Sequence, residues 1–169
     1  MLRFIRSFSR NIELQKNVVG IVSIAGFVTF TKSLNNPYGI DTLILHKMVK
    51  KFNQDPFCVL QDFRQNCNFN SEYYKPQRDI MHQELLNDLR DLLLVNEQND
   101  AKKIKQPILI LAADDDRIVS KNIACSLKEV FTNSILITRK NGGHALGFNH
   151  ASWCVKKIKK FIKGFDFNG

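Results

Sequence analysis

No stretch of this 169-residue chain is apolar for long enough to cross a bilayer. The longest apolar run, Val18 to Phe30, is broken by Ser23 and Thr29 and falls short of the ~20 residues a membrane helix needs. Glycine (8) and proline (4) are scarce and thirteen phenylalanines are present, which excludes collagen-like and disordered classes. With 44% hydrophobic residues, a chain of this length can bury one ordinary core. Four cysteines, Cys58, Cys67, Cys125 and Cys154, make no C-x-x-C pair, and no signal-peptide core precedes them. A reduced, cytoplasmic protein is therefore expected rather than a disulfide framework. Acidic residues are few, 16 against 25 Lys and Arg, so the net charge is +9 and an acidic partner is suggested. The basic residues are spread out: Lys47, Lys50, Lys51, Arg64, Lys75, Arg78 and Arg90 in mid-chain, then Lys156, Lys157, Lys159, Lys160 and Lys163. A Lys-, Asn-, Ile- and Phe-rich composition also arises from an AT-rich genome with no selection for binding.

Three zones succeed one another. The opening decapeptide is Arg- and Ser-rich, as in a transit peptide, but its apolar positions 2, 4, 5 and 8 suit the inner face of a core helix over 1–15. The β-branched run 18–25 reads as a strand buried on both faces. Residues 28–104 then change character: a turn cluster at 35–39 is followed by apolar residues at three- and four-residue spacing, reading as about three helices. Asp41 and Asp55 stand at N-cap positions, and Pro56 suits a first helical turn. From 105 on, strands at 107–111 and 135–138 alternate with helices at 122–131 and 152–163, which implies a parallel sheet covered on both faces. In the last helix Val155, Ile158, Phe161 and Ile162 form a stripe that favours core packing over a membrane-surface role.

The chemistry gathers in Asp114-Asp115-Asp116 and, 28 residues after Asp116, Gly142-Gly143-His144. Consecutive strands of an open parallel sheet deliver a carboxylate and a histidine at their C-terminal ends, where ligand crevices form. A histidine base needs such a carboxylate on its far nitrogen. The aspartates also suit a solvated loop or a weak magnesium site, but no second acidic cluster completes one. His144 and His150 lack further zinc ligands at ligand spacing, so no metal or other cofactor is expected. His46 and His82 read as surface helix residues.

These motifs resemble the C-terminal half of the α/β-hydrolase superfamily, in which a proline-led apolar strand and Gly-x-x-Asp-x-x-Val carry the triad acid and a Gly-His follows the last strand. The resemblance implies Asp116 as acid, His144 as base and His150 as a second histidine opening the last helix. Within the superfamily the chain is most similar to the esterases that cleave the methyl ester of pimeloyl-acyl carrier protein in biotin synthesis, through Val-Gly-Ile-Val-Ser-Ile-Ala, Pro37-Tyr-Gly-Ile and Asp55…Leu60…Phe63. It covers nearly the whole chain and implies a core remnant at 1–27, a helical cap at 28–104 and the C-terminal core at 105–169. Ala113 replaces the usual glycine, and Ala151-Ser152 a common proline. The family's G-x-S-x-G elbow is absent; Ser23, in G-x-x-S-x-x-G, falls inside a strand, where the mechanism cannot use it. By helix length the elbow is expected at or just before Met1, so activity would need a complementing N-terminal half, either supplied by another chain or lost from the gene.

A carboxyl-ester hydrolase lacking its nucleophile is the leading reading. A non-catalytic basic module that holds an acidic protein such as acyl carrier protein, through Lys47, Lys50 and Lys51, is the alternative. A nucleic-acid binder is weakest, since no recognised motif appears. Neither a nucleic-acid nor a membrane partner is expected.

Overall fold

The computed structural model describes residues 2–69 and 82–165, so Lys75 and Arg78 lie outside the described residues. The helix expected over 1–15 is two helices, α1 (Leu2–Arg10) and α2 (Ile12–Lys16). Asn11 breaks it: its backbone is extended, and its side chain accepts a hydrogen bond from Leu14 N, capping α2. Ile5 and Phe8 of α1 are buried in the main core as the apolar spacing implies, whereas Phe4, expected on the same face, is exposed and stacks on Phe8.

Three parallel strands follow in chain order, β1 (Ile21–Ile24), β2 (Ile108–Ala113) and β3 (Ser134–Arg139), with β2 in the middle. Period two sends Ile108 and Ile110 of β2 into a cluster with Ile5, Phe8, Leu127 and Phe131, while Leu109 and Leu111 meet Leu146, Cys154, Ile158 and Phe161. Helices thus cover both faces: α1 and α7 (Lys121–Val130) on one, α9 (Ala151–Ile162) on the other. All six residues of β2 are buried as a result. β1 departs from expectation. It is shorter than 18–25, and only Ser23 is buried, because β1 is an edge strand that leaves Val22 and Ile24 exposed.

Between β1 and β2 lie α3 (Thr42–Gln54), α4 (Pro56–Asn66) and α5 (His82–Leu94). Asp41 and Asp55 accept from Leu43 N and Cys58 N at 2.8 and 2.9 Å, the N-caps that the sequence implies. These helices share a small core of Phe52, Val59 and Leu86, joined to the sheet layer where Phe30 and Leu45 meet Val119 and Ile123. Val28, Ala101 and Ile104, at the two ends of this span, pack with Ile5 and Phe8 in the main core. Two four-residue helices, α6 (Gln98–Ala101) and α8 (Leu146–Asn149), carry no readable period and were not anticipated. The architecture is the expected α/β class: a parallel sheet flanked by helices, with a helical insertion. Among the described residues no helix is long and apolar enough to cross a membrane.

Candidate active site

β2 and β3 both end at the same rim of the sheet. β2 runs directly into Asp114-Asp115-Asp116, and β3 into a tight turn that leads to His144. The Asp116 side chain is 1% exposed and that of His144 22%, with Oδ2 and Nδ1 2.9 Å apart. The other carboxylate oxygen, Oδ1, accepts from Ile118 N and Val119 N, both at 2.8 Å. Three hydrogen bonds therefore fix the acid, and burial removes the water that would compete for it. A carboxylate on Nδ1 favours the tautomer with its proton there, leaving the Nε2 lone pair on the far side of the ring. The Phe63 ring, from α4, stands edge-to-face with the imidazole at 6.3 Å between centroids.

The three consecutive aspartates do three different things. Asp114 pairs with Lys121 at 2.9 Å, which holds its carboxyl below the usual range. Asp115 accepts from Gly142 N and Gly143 N at 2.8 and 3.0 Å; these donors, Gly143 foremost, hold its carboxyl low as well. It ties the acid-bearing loop to the turn just before the histidine. Both glycines have steric reasons. Gly143 has φ +62, and a Cβ there would lie 2.6 Å from Asn68 Cβ; one on Gly142 would lie 2.8 Å from the Ala113 methyl. The methyl of Ala113 is thus accommodated by the lack of a side chain at Gly142. From the other side, His150 Nε2 lies 3.0 Å from the Asn141 carbonyl, at the N-cap of α9, the position that the resemblance implies. The end of α4 closes in from above, where Cys67 O accepts from Ala145 N. Burial, aided by the Asp116 charge, pushes the Cys67 thiol up to about 11.

His144 lines a cleft of about 850 Å3 together with Arg6, Ser7, Ala25, Phe27, Asp88, Asp91 and Glu97. Arg6 pairs with the buried Glu97 at 2.6 Å. Ser7 carries the only hydroxyl among the described cleft-lining residues, on the second turn of α1 rather than on an elbow. Ser23 is in β1, paired with Ile110 and buried. Lys47, Lys50 and Lys51 all sit exposed on α3, but Lys51 is committed to Asp62 at 2.6 Å. Sequence reasoning missed Asp115 as the tie between the two loops, and the acidic wall. The first had a signal, an aspartate beside the acid facing a Gly-Gly; the second depended on helix packing. Among the described residues no group of three metal-ligating side chains gathers. His46 and His82 are exposed on α3 and α5, His82 tilted against Phe52.

The α/β-hydrolase family model described as "TAP-like protein" matches residues 95–164. No curated protein matches the sequence. Solved structures with the same fold include an esterase from Exiguobacterium antarcticum (16% identity, TM-score 0.75) and a bromoperoxidase from Bacillus anthracis (18%, 0.72), each matched over 94% of this chain and 62% of theirs. An enol-lactonase from Burkholderia xenovorans is similar at 13% identity and TM-score 0.65, over 96% of this chain and 62% of its own. At such identities the likeness establishes the fold. The chain spans about three fifths of the length of these structures.

Proposed function

We propose that this chain carries the acid and the base of a carboxyl-ester hydrolase built on part of an α/β-hydrolase fold, and that the serine nucleophile comes from polypeptide outside these 169 residues. The observation that carries the reading is the 2.9 Å contact between His144 and a buried, doubly anchored Asp116 at the C-terminal rim of a parallel sheet. In that arrangement Nε2 takes the proton of a serine hydroxyl as it attacks the ester carbonyl and returns it to the departing alcohol. Asp116 stabilises the imidazolium formed in between. Water then repeats the sequence on the acyl intermediate.

Within this class we read the substrate as a neutral methyl ester of a pimeloyl-type chain on acyl carrier protein, in biotin synthesis. The order of sequence motifs supports this, and so do the carboxylates of Asp88 and Asp91 on the cleft wall, beside the Arg6–Glu97 ion pair. Carboxylates there disfavour an anionic acyl end and favour release of the acid product. Lys47 and Lys50 remain to steer an acidic carrier, with Lys51 already paired. The alternative, a basic module that binds such a carrier without catalysis, rests on the same lysines.

The test is esterase activity and fluorophosphonate labelling of this chain alone and together with a polypeptide carrying G-x-S-x-G. Alone, neither should rise above background, with Ser7→Ala and Ser23→Ala as controls. In the complemented pair, His144→Ala should lower kcat by about 10⁶ and Asp116→Asn by about 10⁴. Turnover by the lone chain that Ser7→Ala or Ser23→Ala abolishes would overturn the reading.

A further inference from the structure

The last described helix bears a surface that the catalytic reading does not use. α9 contains no acidic residue. Lys156, Lys159, Lys160 and Lys163 are exposed along one of its faces, and no ion pair among the described residues involves them. Lys157 differs, lying over the Trp153 ring. The apolar stripe expected to pack inward divides in two. Ile158 and Phe161 meet the sheet, whereas Val155 and Ile162 are 47% and 44% exposed on the flank of the lysine face. They are seven residues apart, so about 10 Å separates them along the axis.

We infer that this face of α9 docks on an anionic lipid surface, with the lysines among the headgroups and Val155 and Ile162 dipping between them. Charge supplies the sign: the chain is +9 overall, and this helix concentrates four of its unpaired cations. Shape chooses among anions. Among the described residues the depression along the face, about 670 Å3, is lined only by α9 and its C-cap Lys163, so no other described element walls a pocket for the anchor residue that a protein partner would need. A headgroup layer needs no such complementarity. Nucleic acid is disfavoured because no arginine stands on α9 and its aromatics, Trp153 and Phe161, pack toward the sheet. Lysines beside exposed aliphatic side chains on one helical face are the pattern of helices that lie in a membrane interface.

The experiment is flotation of the full chain with vesicles of phosphatidylcholine alone or with about a third phosphatidylserine; vesicle-bound protein rises while aggregates sink. The chain should float only with phosphatidylserine, and less at high salt. Each lysine near such a surface strengthens partitioning about fivefold, so Lys156→Glu with Lys160→Glu should weaken it at least ~25-fold. Lys47→Glu with Lys50→Glu, the same charge change on α3, should cost far less. Val155→Ser with Ile162→Ser should weaken the residual binding at high salt. Circular dichroism checks that each variant is folded. Three results would overturn the inference: no flotation, equal losses from the α3 and α9 pairs, or tighter α9-dependent capture by duplex DNA or an acidic protein than by the vesicles. None depends on esterase activity.

Discussion

At the scale of single residues the site is organised by adjacent carboxylates with divided labour. Asp116 holds the histidine, and Asp115 holds the backbone that delivers it. Asp115→Asn keeps the shape but weakens two charge-assisted hydrogen bonds, each of a kind contributing roughly 1.5–3 kcal/mol when sheltered and less at this exposed position. The pH dependence has a definite sign. The Gly143 and Gly142 amides lower the folded-state pKa of Asp115, so its contribution is complete above the unfolded carboxyl pKa of about 3.9 and is lost as pH falls through the lower folded value. Thermal melts of wild type and Asp115→Asn should differ most at neutral pH and converge below about pH 4. A constant gap would show that Asp115 acts by packing alone. The pairing of Asp116 with His144 was legible in the sequence because motif and strand end coincide. Asp115 was not assigned a role, since its partners are main-chain amides that no side-chain pattern announces.

Among the elements, those with a clear period were legible. β2, β3, α7 and α9 fall within two residues of their expected positions at every boundary, because period two and period 3.6 were unbroken there and Pro107 marked an entry. Misreadings came where local chemistry outweighed pattern: Asn11 splits the first helix by capping the second, and β1 loses its ends on the sheet margin. The helices between β1 and β2 stand on few contacts of their own. Phe52, 3% exposed, is the largest side chain in the Phe52–Val59–Leu86 cluster. Phe52→Ala should therefore cost about 3–5 kcal/mol if the chain melts as one unit. If these helices melt separately, hydrogen exchange should speed up in α3–α5 while β2 stays protected. Loss of protection in β2 alone would contradict the packing described.

For the molecule as a whole, the consequential feature is the margin of β1 that no other described strand pairs with. Ile21 N and Ala25 N donate to Pro107 O and Leu111 O of the neighbouring β2 segment. By strand alternation Val22 and Ile24 turn their backbone groups to the open side. Phe4, Val22 and Ile24 border an apolar groove of about 530 Å3 beside that edge. Such an edge templates association, so the chain by itself should self-associate, and Val22→Lys should raise the monomeric fraction in size exclusion. A wild-type chain that is monomeric at high concentration would refute this. The sheet also has a history written in its order. Its strands lie side by side in the sequence in which a ribosome makes them, so each new strand meets the one before it and the sheet grows outward by accretion. Of the described strands β1 is made before β2 and β3, and neither of them pairs with its far side. In the cell its safety is then a matter of timing: how soon a chaperone or a matching strand reaches it, measured against the time that β2, β3 and α9 take to emerge.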